Sequence, residues 1–391
     1  MILCGEREAS APQAPRKPEL ASILREVQNQ LGPLTTDQER AIQAIIDCRT
    51  AALGGHVSAC DTCGHQDIAY NSCRNRYCPK CGALAQARWI ERQEDAVLPV
   101  EYHHVVFTVP DVLNPLFRCD PARAYRLLFA AASETLSEVA ANPRRLGVQI
   151  GFTAVLHTWT QTLLHHPHIH CIVPGGGLSP DGQWISCRKG FFLPVRVLSA
   201  VFKGKLLHLL EVAFEDDLNA QEVLRQAARK KWVVFSKKPV AGAQQVLRYL
   251  GRYTHRTAIS DARILAFEDG KVTFRYRDRA DAGRSKTMTL TATEFARRVL
   301  LHVLPKGFVR IRHYGILANC NRTAAVAACR EQLGAQPLPE AKPETWDQLL
   351  QRLTGIDATR CPACKQGRLV VIAALPPIRF DLRLPGRGTS P

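Results

Sequence analysis

The chain has 391 residues, 46% of them hydrophobic, and a formal net charge of +17. That apolar fraction supports a sizeable core and excludes global disorder, and the length calls for two or three domains. The charge points to a polyanionic partner, nucleic acid first, because each cation placed on a phosphate releases a condensed counterion. No apolar run reaches the roughly 20 residues of a membrane span, so no membrane partner is expected. The opening stretch MILCGEREASAPQAPRKPEL lacks the apolar centre of a secretory signal. Fourteen cysteines, many in C-x-x-C pairs, fit metal binding in a reducing cytoplasm better than disulfides.

Residues 1–19 read as a Pro/Ala-rich leader, and residues 20–47 as two helices broken at Gly32-Pro33, with Thr36-Asp37 as the second N-cap. Residues 48–82 are dense in Cys, Gly and Asn and need a metal to fold. A helix, ALAQARWIERQEDAVL, follows and stops at Pro99. YHHVVFTVP reads as a strand, with helical stretches to about residue 140. GVQIGFTAVLHTW and HIHCIVPGGGL form an expected antiparallel hairpin across a polar loop at 161–167. KLLHLLEVAFEDDLNAQEVLRQAARKKW reads as one helical stretch, WVVFSK as a short strand and AGAQQVLRYLGRYTHR as a helix. ARILAFEDGKVTFRYRDR is a hairpin turning at Asp269-Gly270. TATEFARRVLLHVLP is a Thr-capped helix ending before Pro305. The last ten residues are Pro/Gly/Arg-rich and are expected to be disordered. Strands mixed with helices predict an α+β fold on a mainly antiparallel sheet. The expected divisions are 1–47 (leader and helices), 48–98 (zinc-binding and DNA-contacting), 99–315 (catalytic) and 316–391 (helical, with a C-x-x-C knuckle and a tail).

Cys60 and Cys63 make one knuckle and Cys78 and Cys81 another, 14 residues apart. That spacing predicts a closed tetrahedral Zn²⁺ site. Cys48, His56 and Cys73 are candidates for a second site, with His65 as a possible fourth ligand. Cys361 and Cys364 form a separate knuckle that Cys320 or Cys329 would have to complete. Arg74, Asn75, Arg76 and Lys80 beside the knuckles are candidates for DNA contact.

Four histidines crowd HHPHIHC. On a strand, residues two apart share a face, so His168 and His170 can chelate one ion while Ile169 enters the core. His165 and His166 are expected in the loop before the strand. His157, ending the partner strand, is the expected third ligand, with Gln245 as its alternative. Imidazoles with open positions suit Mn²⁺ or Mg²⁺. In QVLRYLGRYTHR, Tyr249 and Tyr253 fall one helical turn apart, and Arg248, Arg252 and Arg256 repeat at the same spacing as a ridge for phosphates. A divalent ion and nearby arginines favour phenolate, the nucleophilic form of tyrosine.

The H-x-H strand, the FTVP strand (Phe107–Pro110) and the Y-x-x-x-Y helix resemble the two-tyrosine HUH nucleases. Together with CRTAALGGHVSAC, NSCRNRYCPKC and LPKGFVRIRHYG, they resemble the insertion-sequence-91 family of rolling-circle transposases across roughly residues 40–320. Tyr77 departs from the family's zinc segment, where His is expected. The resemblance implies a central antiparallel sheet flanked by helices after a small zinc-binding domain. It implies metal-dependent cleavage of single-stranded DNA at transposon ends and in the target, through 5′-phosphotyrosine links to Tyr249 and Tyr253. It also implies a DNA-associated protein of the bacterial cytoplasm, with host replication proteins as further partners. A replication initiator or conjugative relaxase shares the chemistry; a zinc-dependent DNA-binding regulator would leave the histidines and tyrosines unexplained. No G-x-x-x-x-G-K-[ST] loop is present, so no ATPase activity is expected of the chain.

Overall fold

The computed structural model describes residues 17–94, 96–240, 245–246, 251, 257–278, 280–335 and 344–378. The chain starts with helices α1 (Leu20–Val27) and α2 (Thr36–Asp47), the second capped by the Thr35 hydroxyl, one residue before the expected cap. Strands β1 (Gly55–Cys60) and β2 (Gln66–Tyr70) form a hairpin, and helix α3 (Gly82–Glu94) follows. Next come β3 (Tyr102–Thr108), α4 (Asn114–Cys119), α5 (Pro121–Ala141), β4 (Gly151–Trp159) and β5 (His165–Pro174). A small ribbon, β6 (Gly176–Leu178) and β7 (Trp184–Ser186), precedes α6 (Val195–Ala213), α7 (Leu218–Arg229) and β8 (Val233–Val240). The expected single helix over 205–232 is two. Asp217 accepts from the Asn219 and Ala220 amides and starts α7 afresh.

The second half holds a three-stranded meander, β9 (Ile264–Glu268), β10 (Lys271–Asp278) and β11 (Arg284–Thr291), then α8 (Ala292–Leu300) capped by Thr291. Strand β12 (Ile311–Gly315), α9 (Arg322–Gln332), α10 (Trp346–Thr354) and β13 (Leu369–Leu375) complete it. The β9–β10 turn is the expected Asp269-Gly270, with both residues at positive φ. Strand β11 extends that hairpin beyond the expectation. Among the described residues no helix is long and apolar enough to cross a membrane.

The fold is mixed helix and antiparallel sheet. Its centre is a five-stranded sheet in the order β12-β4-β5-β3-β8, antiparallel throughout. One face carries Phe107, Phe152, Ala154, Leu156, Ile169, Cys171 and Val173, all essentially buried against α5 and α6. Burial of this apolar area contributes roughly 25 cal/mol per Å² to stability. A second core joins α1 and α2 to the meander and α8: Leu20, Ile23, Leu24, Ile42 and Ile45 pack with Val272, Phe274, Phe295 and Val299. The N-terminal helices therefore close the far side of the meander, and Leu20 N–H donates to Asp261 Oδ1 at 2.9 Å.

Candidate functional site

The other face of the central sheet is polar. Register sets its content: His157 pairs with His168, Val155 with His170, Thr153 with Ile172 and His104 with Ile172, so these side chains share one face. The ring nitrogens of His157, His168 and His170 come within 4.8 Å of one another, and all three rings are nine-tenths buried. Each is oriented from behind. His104 Nε2 lies 2.7 Å from His170 Nδ1, and His168 Nδ1 lies 2.7 Å from the His166 carbonyl. His157 stacks on Trp159, with ring centroids 4.5 Å apart. The His166 carbonyl can only accept, so it fixes Nδ1–H on His168 and frees Nε2 for a ligand. This is the outer-shell pattern of metal-binding histidines. Three imidazoles on an open cleft fit a divalent ion that keeps sites for further oxygen ligands.

The cleft in front of the triad has a volume of about 250 Å³ and is walled by Trp159, Thr160, Gln161, Thr162 and His166. Tyr276, Arg277 and Asp278 of β10 close it from the meander. The loop between β4 and β5 is held carbonyl by carbonyl. Arg263 donates to the Gln161 oxygen, Arg298 to the Thr162 oxygen and His302 Nε2 to the Leu163 oxygen. Leu163 is buried at φ 64, a left-handed conformation a leucine keeps only when its surroundings over-determine it. Burial pushes the His302 ring down to about 3, so it stays neutral in this role.

The residues expected at the site fare unequally. His157, His168 and His170 are brought together; the alternative ligand Gln245 is exposed. His165 is not a loop residue. It opens β5, is buried, and bonds Tyr125 Oη at 2.9 Å and Asn114 Oδ1 at 3.1 Å. Burial lowers its pKa to about 4. Tyr249, Tyr253, Arg248, Arg252 and Arg256 lie outside the described residues. Of their described neighbours, Val246 packs with Ile172 and Tyr102 of the sheet, and the Gly251 carbonyl accepts from Gln86 of α3 at 2.6 Å. Sequence reasoning missed His104, although H-x-V before the FTVP motif puts it on the same strand face as Val106, the partner of His170.

The cysteines regroup. Cys60 and Cys63 do not join Cys78 and Cys81. Cys48, Cys73, Cys78 and Cys81 form one group, with Cys48–Cys81 at 3.4 Å and Cys73–Cys81 at 3.6 Å between sulfurs. Cys60 and Cys63 gather instead with Cys361 and Cys364. The reason is topological: β1 ends at Cys60 and carries its knuckle away from Cys78, while the C-cap of α2 delivers Cys48. His56 and His65 belong to neither group, nor do Cys320 and Cys329. His56 sits in β1 opposite Ala69 and Ala374, and Cys329 is buried beside Leu98 and Ile316. Four thiolates around a zinc at about 2.3 Å stand about 3.8 Å apart, so the first group fits the ion. Burial, with the neighbouring Cys81 and Cys78 thiols adding to it, pushes Cys48 up to about 11. A bound dication reverses that balance.

Arg76, a candidate for DNA contact, is half-buried. Its guanidinium donates to the Phe308 and Pro305 carbonyls and to Tyr77 Oη. Tyr77 Oη also accepts from Leu304 N–H at 2.7 Å. Tyr77 is thus a bolt between the cysteine-rich region and the 304–308 loop that leads into β12. Lys80 pairs with Glu19 at 2.6 Å, and Arg74 is exposed.

Comparison with known proteins places this architecture. A family described as putative transposase matches residues 151–324, and one described as transposase zinc-binding domain matches residues 20–109. A putative transposase, y4qJ, of Sinorhizobium fredii is 50% identical over 91% of this chain and 95% of its own length. The transposase for insertion sequence element IS801 of Pseudomonas savastanoi pv. phaseolicola is 28% identical over 88% of this chain and 85% of its own. No solved structure matches. With its cysteine-rich zinc-binding domain ahead of a histidine-bearing antiparallel sheet, the chain belongs to the insertion-sequence-91 family of transposases.

Proposed function

We propose that this transposase cuts and rejoins single-stranded DNA at transposon ends by rolling-circle strand transfer, with Tyr249 and Tyr253 as nucleophiles. The observation that carries the reading is the buried histidine triad, with His170 held by His104 and the His168 tautomer fixed by the His166 carbonyl, opening on a cleft. His157, His168 and His170 would hold Mg²⁺ or Mn²⁺, which supplies Lewis-acid stabilisation of charge on the scissile phosphate. A tyrosine phenolate oxygen bonds to phosphorus and the bond to the 3′-oxygen breaks. The phenol's proton ends on that oxygen, leaving a 5′-phosphotyrosine and a free 3′-OH. A later 3′-OH attack reverses the exchange, so no external energy source is consumed. The second tyrosine serves the next cleavage.

The walls of the cleft support a strand threaded through it. Trp159 and Tyr276 offer ring faces to bases, and Arg277 offers a cation to the backbone. The net charge of +17 supports polyanion binding along the molecule. Cys48, Cys73, Cys78 and Cys81 hold a structural zinc in this reading, and Arg74 beside them contacts phosphate.

The test is adduct trapping on a single-stranded oligonucleotide carrying the transposon end, with Mn²⁺ present. The wild-type chain is expected to give a covalent protein–DNA species mapping to Tyr249 or Tyr253, lost when both become Phe. Cleavage that survives the double Phe variant rules out these nucleophiles.

A further inference from the structure

The N-terminal zinc-binding region is finished by the other end of the chain. Strand β13 pairs antiparallel with β1 along its length, from Gly55 opposite Leu375 to Cys60 opposite Leu369, and makes the third strand of the sheet β13-β1-β2. At the Cys60 end, Asp61 N–H donates to the Arg368 carbonyl at 3.0 Å, and Arg368 N–H donates to Asp61 Oδ1 at 2.8 Å. The segment 359–375 lies outside residues 20–109, the span matched by the zinc-binding family.

The two knuckles that meet there are built alike. In one, Gly64 N–H returns to the Cys60 carbonyl at 3.1 Å and Cys60 N–H donates to the His65 carbonyl at 2.8 Å. In the other, Lys365 N–H returns to the Cys361 carbonyl at 3.1 Å and Cys361 N–H donates to the Gly367 carbonyl at 2.9 Å. Gly64 and Lys365, each one residue past the second cysteine, both take positive φ. Backbone amides point at sulfur in both: Thr62 and Cys63 at Cys60 Sγ, Gly367 at Cys364 Sγ. Amide donors of this kind favour thiolate over thiol. The sulfurs alternate between the knuckles, with Cys60–Cys364 at 3.7 Å and Cys63–Cys361 at 3.8 Å, the edge lengths of a tetrahedron about zinc at about 2.3 Å. The fit leaves no slack: a Cβ on Gly367 would stand 2.5 Å from Cys60 Sγ.

We propose that Cys60, Cys63, Cys361 and Cys364 hold a second structural zinc ion, and that this ion locks the C-terminal strand into the N-terminal zinc-binding domain. The domain is then discontinuous in sequence, and its folding waits on cysteines 298 to 304 positions away.

Metal analysis of the purified full-length chain is expected to find two zinc ions per molecule. Cys361→Ser with Cys364→Ser should reduce that to one, the same loss as Cys60→Ser with Cys63→Ser, while the ion on Cys48, Cys73, Cys78 and Cys81 stays. One zinc in the parent chain, or two in the Cys361/Cys364 variant, overturns the proposal. Alkylation of the wild-type holoprotein decides the matter without any variant. Cys361 and Cys364 should be protected together with Cys60 and Cys63, and a chelator should expose all four at one rate. Free-thiol reactivity at Cys361 or Cys364 while Cys60 and Cys63 stay protected refutes it.

Discussion

The two faces of the central sheet divide the labour of the molecule. The face against α5 and α6 is closed and largely apolar, with Phe107, Phe152, Leu156, Ile169 and Val173 packed beside the buried His103 and Cys171. The opposite face of the same strands carries His104, His157, His168, His170 and His313. Alternation along β5 means that every histidine aimed outward is seated by a buried neighbour aimed inward. A metal site on a strand backed by a close-packed core inherits the rigidity of that core. What differs between the faces is the type of failure each should show.

The largest effect is expected on the polar face. His168→Ala with His170→Ala should lower Mn²⁺-dependent cleavage roughly a thousandfold or more, since Lewis-acid stabilisation is worth several kcal/mol. Melting temperature and DNA retention should stay near wild type; unchanged cleavage would remove the metal assignment. On the closed face, Phe107→Ala should cost about 3–5 kcal/mol of stability in a denaturant titration. Molecules still folded should keep their affinity for Mn²⁺, and a loss of metal at full folding would show that the faces are not separable. His104→Ala sits between these extremes. With the partner of His170 removed, Mn²⁺ affinity should fall roughly 10–100-fold with cleavage recovered at saturating metal. A loss that excess Mn²⁺ cannot recover would give His104 a different role.

The smallest effect concerns pH. His302 and His165 are held neutral by burial, at about 3 and about 4 against an ordinary 6.5. The unfolded chain takes up these protons first, so their contribution to stability is full above pH 6.5 and falls as the pH drops toward 4. The slope is up to about 1.4 kcal/mol per pH unit per ring. Thermal melts between pH 7 and pH 4.5 check this, and His302→Gln should flatten part of the slope.

The legible parts of this molecule were local ones. His168 and His170 declared themselves by a period of two, and the hairpin supplied His157, because a short loop leaves few registers for β4 against β5. The cysteine partners were hidden for the opposite reason. A C-x-x-C knuckle announces a half-site and says nothing of the other half; the spacing from Cys63 to Cys78 suited one site, while β13 paired with β1 across most of the chain. His165 read as a loop residue because its partner, Tyr125, is on α5, 40 positions away in sequence. The break between α6 and α7 was available in the sequence, since Asp217 before Leu218-Asn219 is an N-cap signal inside an otherwise helical run. The packing of α1 and α2 on the meander was not, because an amphipathic helix shows which face is buried without naming what covers it.

The bolt at Tyr77 and Arg76 bears on how such transposases could be recombined with one another. A hydroxyl and a guanidinium from the zinc-binding region terminate on backbone groups of Leu304, Pro305 and Phe308. Transplanting the cysteine-rich region alone into a relative would strand those donors at an interface shaped for other side chains. The transferable cassette is therefore larger than the family boundary drawn at residue 109. It takes in the 304–308 loop as well, so the cysteine-rich region and the central sheet would be inherited as a linked pair.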